Sequence, residues 1–470
     1  MSETGSATLA AIATPSDRLA VVDGELVIDG QRATALLARF GSPLYVTVEA
    51  TLRENYRRLR RAFAERWDAP VTVMYALKAN NALAIRAVLS AEGAGGDCFG
   101  LGELHATLAA GTDPRCVVMN GSNKSRAEID AAVAAGLIIN IDSTEEIAAI
   151  EASATQHGRI ARVNLRLKLL PPEIELFSGE FFRSADGMLA TVRRSKWGYT
   201  LPAAAGLVAQ LQRSPHVELL GYSSHVGRYS NLPQAFAIVC RSLGEAVVAL
   251  HRQTGFWPAM LDIGGGWPRQ REPEARGPAL NPHTIDDYAE TATGALRQAL
   301  AAGGHALPEL WLEPGRYIVG NSVLMLATVG AIKRDAGHVW VHIDASTNHL
   351  MRIDTSKAWH RILAANRMDS PQSETVDVVG STCIPSVLGA DRALPPLQAD
   401  DVLAILDTGM YAEAISNQFN GMPRPATVMI GADDVALIKR RETVEDLFAH
   451  HVIPSWLAPA AAHAPGAGNG

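Results

Sequence analysis

The run Val71-Thr72-Val73-Met74-Tyr75-Ala76-Leu77-Lys78-Ala79-Asn80 is a short apolar segment that ends on a lysine. Seven further segments follow the same grammar: Gly96 to Cys98, Cys116 to Asn120, Ile138 to Ile141, Ala161 to Leu167, Glu218 to Ser223, Met260 to Ile263 and Glu309 to Leu312. Each is short and either ends on a small or polar residue or is followed directly by one, as a strand buried on both faces does. Longer Ala-rich stretches lie between them, and Ala82 to Leu89, Ser125 to Ala135 and Thr144 to Ala152 carry apolar residues at helical spacing. Eight such strands alternating with helices predict an α/β fold, a (β/α)8 TIM-like barrel.

After Arg316 the pattern changes. Val339 to Ile343, Val376 to Val379, Val402 to Leu406 and Ala426 to Ile430 read as strands separated by turns, which predicts a mostly β C-terminal domain. Upstream, Leu19 to Ile28 places Asp23-Gly24 between two apolar runs and reads as a hairpin joining that sheet. The expected organisation is N-terminal strands at 18–45, a barrel over 46–318, a β domain over 319–456 and a flexible Ala/Pro/Gly-rich tail at 457–470. The first dozen residues are expected to be mobile as well. A chain of 470 residues has room for a barrel and a second core. The segment 171–195, with Phe177, Phe181 and Phe182, is a long, weakly periodic connection, either a functional loop or a surface excursion.

Charge and composition exclude several classes. A formal net charge of -7, with Lys and Arg scattered, leaves no basic stripe for nucleic acid. No run reaches membrane-spanning length, and the apolar stretch Ala7 to Ala13 follows Glu3 with no basic region before it, so a cytoplasmic enzyme is expected. Cys98, Cys116, Cys240 and Cys383 are widely separated, which points to neither a metal site nor a disulfide framework.

Barrel enzymes carry their reactive groups where strands end. Here those positions hold Lys78, Asp97, Asn120, Asp142, Arg166, His225, Gly264-Gly265-Gly266 and Glu313. Any one of them fits a structural role, but a ring of them is hard to explain by stability. Partial desolvation of Lys78 would lower its pKa and make its amine a nucleophile towards an aldehyde. The glycine triplet, read alone as a tight turn, would join Gly315-Arg316 in directing amides and a guanidinium at one anion. Glu313 is placed either to keep a pyridine nitrogen protonated or to form a salt bridge with Arg316.

Tyr75 to Asn80, Asp97 to Glu103, His225-Val226-Gly227, Leu261 to Pro268, Glu313-Pro314-Gly315-Arg316, Cys383, and Gly409 to Tyr411 with Phe419-Asn420 resemble the ordered motifs of the fold-type III pyridoxal-phosphate decarboxylases, the group containing diaminopimelate and ornithine decarboxylases. The resemblance runs from residue 20 to residue 450. It implies pyridoxal 5'-phosphate held as a Schiff base by Lys78, with His225 on its ring and Glu313 on its nitrogen. Gly266, Gly315, Arg316 and Tyr411 would hold the phosphate, and Asp97, Arg228 and Gly265 complete the implied cofactor site. It further implies a head-to-tail homodimer with shared active sites. Cys383 would enter from the partner to protonate the carbanion after loss of carbon dioxide. Arg316, Arg352, Cys383 and Tyr411 would meet the small-molecule amino-acid substrate. The alternatives on this fold are a racemase or epimerase with Cys383 as second base, and a non-catalytic relative that binds a partner.

Two departures bear on the substrate. Diaminopimelate decarboxylases carry a Glu after the motif cysteine and diamine-forming relatives an Asp, whereas this chain reads Cys383-Ile384-Pro385-Ser386-Val387. The acidic contact for a distal ammonium is missing. This stretch resembles instead a subgroup from specialised biosynthesis, some members of which use carrier-linked amino acids, which adds a carrier protein to the expected partners. Arg352 matches an arginine that binds a distal carboxylate in diaminopimelate enzymes, although Ser356 stands where a tyrosine is usual. Arg228, in place of the usual Ser, would reach the phosphate or a substrate carboxylate. A specialised substrate is therefore favoured over diaminopimelate proper, with a carboxylate-bearing one retained.

Overall fold

A computed structural model describes residues 3–14, 16–177, 187–225, 230–272 and 279–457. The eight apolar runs form strands β1 (Val71–Ala76), β2 (Gly95–Phe99), β3 (Val117–Asn120), β4 (Ile138–Ile141), β5 (Ala161–Arg166), β6 (Val217–Ser223), β7 (Met260–Asp262) and β8 (Glu309–Leu312). Every neighbouring pair is parallel, and β8 returns to β1 to close a barrel in sequence order. Strands β3 and β4 are buried along their whole length, as expected where helices cover one face and the lumen the other.

The barrel lumen sets the site. Met74, Val118, Ile138, Met260 and Trp311 pack together as an apolar plug. Because a strand turns alternate side chains to the same face, the residues two positions further along β3, β4, β7 and β8 stand in the next layer. Those residues are Asn120, Asn140, Asp262 and Glu313, all buried. A dry floor thus carries a polar layer at the end of the barrel where the strands finish.

The second domain is a mostly β sheet that takes in one strand from upstream of the barrel. Leu44–Val48 pairs antiparallel with Val323–Asp335 and parallel with Ala426–Ile430. The hairpin Leu19–Val22 and Glu25–Ile28 forms as read, with Asp23 and Gly24 at positive φ in its turn. It does not extend the large sheet, however, but pairs with Gln31–Arg32 in a three-stranded sheet of its own. Leu26 and Ile28 pack on Val46, Leu363 and Ala404, so the hairpin covers that sheet's core face.

Three other expectations change. Residues Gly5–Ile12 form a helix rather than a mobile lead, since Leu9 and Ile12 are buried and the Ser6 amide donates to the Met368 carbonyl at 2.9 Å. The connection at 171–195 has helical turns at both ends, Pro172–Phe177 and Gly187–Arg194, joined by buried Ile174, Met188 and Val192. Phe181 and Phe182 lie outside the described residues, as does the expected tail beyond its first residue. Helix Pro233–Thr254 is long and apolar enough to cross a membrane, but half of it is buried in the fold, against helix Ile285–Leu300. It belongs to the barrel's outer layer.

A buried charge cluster ties the parts together. Arg271, after β7, donates from Nε to Asp407 at 2.7 Å and from Nη1 to Asp17 at 2.6 Å and to the Ile12 carbonyl at 2.8 Å. Burial opposes ionisation of Asp17, but Arg271 prevails and holds its carboxyl below the usual value. Arg271→Ala leaves two carboxylates buried without their cation and is expected to cost about 3–5 kcal/mol of stability. Urea denaturation reads that loss, and a change of under about 1 kcal/mol would show that the cluster is idle.

Candidate active site

Lys78 follows β1 at the barrel mouth and its Nζ lies 2.5 Å from Oδ2 of Asp97, which stands within β2. The Phe99 ring lies 4.8 Å from the same ammonium. Burial alone would lower the Lys78 pKa, as the sequence led us to expect, but Asp97, Glu313 and Tyr411 outweigh it and the net shift is upward. The lysine is therefore a paired ammonium, and its amine becomes a nucleophile only when an anionic partner moves or is neutralised.

Asn120 bridges two carboxylates, donating from Nδ2 to Asp97 Oδ1 at 2.7 Å and to Glu313 Oε1 at 2.6 Å. Asn140 holds Asn120 in turn, donating to its Oδ1 at 2.8 Å. Glu313 thus takes Asn120 as its partner, while Arg316 pairs with Glu272 at 3.2 Å. Burial and then Asp97 raise the Glu313 pKa, an effect opposed by the cations of Lys78 and Arg166.

His225 Nδ1 accepts the Gly265 N–H at 3.0 Å, so in the neutral ring the proton sits on Nε2. Burial and the cations of Lys78, Arg166 and Arg316 hold its pKa well below the usual value, which keeps the ring neutral. Glycine is required beside it. A β-carbon on Gly264 would lie 2.4 Å from His225 Nδ1, and one on Gly265 would lie 2.0 Å from the Glu313 carbonyl oxygen.

The C-terminal domain closes on this mouth from the same chain. The Tyr411 amide donates to the Ala79 carbonyl at 2.7 Å, and Asn80 Nδ2 donates to the Gly409 carbonyl at 3.3 Å. Tyr411 adopts φ +50, a left-handed conformation unusual for a bulky residue. Arg316 and Arg352 both approach its ring, at 6.0 Å and 5.9 Å from the centroid.

The structure therefore brings together Lys78, Asp97, His225, Gly265, Glu313, Arg316, Tyr411 and Arg352. Gly315 packs between Ala79 and Ala76 beside β1, and Gly266 continues the glycine turn at φ +90. Arg228 lies outside the described residues. Cys383 stands apart, exposed on the C-terminal domain with its amide donating to Asn420 Oδ1 at 2.9 Å. Among the described residues no hydrogen bond joins it to Lys78, His225 or Glu313.

Sequence reading missed Trp197, whose ring lies 4.6 Å from the Arg166 guanidinium and 6.0 Å from Phe99. It also missed Asp262, an acid closing an apolar strand next to the glycine triplet, which was the signal available.

The donor set suits a pyridoxal cofactor. It offers an amine for an aldehyde, a carboxylate for a pyridine nitrogen, a neutral flat ring and a guanidinium for a phosphate. Residues 49–320 match the family model described as "Pyridoxal-dependent decarboxylase, pyridoxal binding domain". The chain belongs to this family. This decarboxylase is 34% identical to the diaminopimelate decarboxylase of Methanothermobacter thermautotrophicus, covering 92% of its own length and 97% of the relative's. It is 30% identical to that of Bacillus subtilis over 90% and 94% of the two chains. The crystal structure of the M. jannaschii diaminopimelate decarboxylase aligns with a TM-score of 0.86 at 29% identity, covering 94% of this chain and 99% of that one. Pyridoxal phosphate is thus the cofactor of a PLP-dependent amino-acid decarboxylase, which favours that activity over a racemase or a non-catalytic binder.

Proposed function

We propose that this decarboxylase acts in the cytoplasm on a free α-amino acid whose far end carries a carboxylate, with Lys78 as the residue that holds the cofactor. The observation that carries the reading is the Lys78 amine, set in the carboxylate ring of Asp97 and Glu313 at the barrel mouth. Pyridoxal phosphate, when bound, supplies the sink for the electron pair left by departing carbon dioxide. Glu313 would face its pyridine nitrogen, His225 its ring, and Gly265, Gly266, Gly315, Arg316 and Tyr411 its phosphate, with Asp97 next to the lysine. Arg228 is assigned to the same phosphate by its place in the motif.

Arg352, beside Tyr411 at the rim, is the candidate for the substrate's distal carboxylate. Ile384, 38% exposed next to Cys383, offers nothing to a distal ammonium. In this reading two copies share their sites, and Cys383 of one delivers a proton to the substrate carbon in the other.

A second reading, diaminopimelate decarboxylase proper, is favoured by the full-length identity to enzymes of that name and by a related M. jannaschii structure in complex with L-lysine. Carbon dioxide release separates the two. We expect 2-aminopimelate, which lacks the distal amine, to match or exceed meso-diaminopimelate in kcat/KM. A preference for meso-diaminopimelate of more than about tenfold, worth about 1.4 kcal/mol of transition-state binding, would favour the second reading instead. The relatives above are named for a free amino acid, so carrier-linked substrates enter only if free ones fail.

A further inference from the structure

Asp262 is buried at the end of β7, one layer above the apolar plug and level with Glu313. Its Oδ1 accepts the Gly264 N–H at 2.8 Å. Its Oδ2 is buried and has no donor among the described residues, and the two carboxyl groups of Asp262 and Glu313 are in side-chain contact. Two carboxylates in contact in a dry site cannot both be charged, so one of them holds a proton. The surroundings decide which. Glu313 has the Asn120 amide on Oε1 and the cations of Lys78 and Arg166 nearby, which favour its anion against the opposing charge of Asp97. Asp262 has one backbone amide on Oδ1 and the charges of Glu313 and Asp97 facing it, which disfavour a second negative charge.

We propose that Asp262 is a positioning residue that keeps a proton on Oδ2 and donates it to Glu313, fixing Glu313 as the anion that faces the cofactor's pyridine nitrogen. Burial first, and then Glu313, push the Asp262 carboxyl well above the usual range, in the direction this arrangement needs. The role gives the glycine turn a second function, because the Gly264 amide that shapes the loop also orients the acid. Asp262→Asn is the isostere of the protonated state, since its carbonyl can accept from Gly264 and its amide can donate to Glu313. Asp262→Leu keeps the bulk and loses the donor.

The inference rests on the cofactor and not on the substrate, and its test needs no turnover. The infrared difference spectrum of the holoenzyme, Asp262→Asn minus wild type at neutral pH, is expected to show loss of a protonated carboxylic-acid carbonyl band. The cofactor's dissociation constant, titrated by absorbance, is expected to stay within about threefold in Asp262→Asn and to weaken by tenfold or more, about 1.4 kcal/mol, in Asp262→Leu. The proposal is overturned if the difference spectrum loses only ionised carboxylate. It is equally overturned if Asp262→Asn releases the cofactor as readily as Asp262→Leu, or if neither variant changes its binding. Should Asp262→Leu fail to fold, the infrared band and the Asp262→Asn titration still decide.

Discussion

Lys78→Ala is expected to lose carbon dioxide release by at least about a thousandfold, and to lose the visible absorbance of covalently held cofactor. The size of the effect follows from what the amine does in its setting. Asp97 Oδ2 at 2.5 Å and Glu313 hold Lys78 as an ammonium, so part of its contribution is charge balance and part is nucleophilicity. Lys78→Arg separates the two: it keeps a cation beside Asp97 but cannot form the imine. The arginine variant should therefore fold at least as well as the alanine variant and be equally inactive. Absorbance spectra before and after borohydride, with a carbon dioxide assay, check both variants. A yellow Lys78→Ala protein bleached by borohydride would assign the cofactor to another amine.

What sequence could and could not show divides along physical lines. The eight barrel strands were legible because a strand covered on both faces leaves a continuous apolar run, and each run ended on the residue type that now lines the mouth. The strand Leu44–Val48 has the same character but stands alone upstream, so nothing in its neighbourhood tied it to a sheet formed some three hundred residues later. Asp262 escaped because its importance depends on Glu313, fifty-one positions away just past the neighbouring strand, and only the pairing of β7 with β8 puts the two carboxyls in contact. The Lys78 pKa was misjudged for a related reason. Burial can be read from an apolar run, whereas a carboxylate delivered by the next strand cannot, and here that carboxylate outweighs burial. Arg271 reads as one more scattered charge until the fold places Asp17 and Asp407 on either side of it.

Mixing two inactive variants is expected to restore activity. Within one chain Cys383 is exposed and unconnected by any described hydrogen bond to Lys78, yet its backbone is fixed by Asn420. Around it Ile384 and Phe419 are 38% and 44% exposed, an apolar setting suited to cover by a second copy. If the thiol serves the neighbouring subunit, a dimer of one Lys78→Ala chain and one Cys383→Ala chain contains one site with both an intact lysine and an intact cysteine, and one site with neither. Random reassortment makes half of the dimers mixed, so about one quarter of the wild-type sites should return. Co-expression of the two variants under separate tags, with purification through both, isolates the mixed dimer and should raise that share to about one half. Activity that never exceeds the average of the two parents would place Cys383 in its own chain's site or outside catalysis altogether. The wild-type enzyme diluted until sedimentation shows monomer gives an independent reading, because an incomplete site should lose carbon dioxide release in step with the dimer.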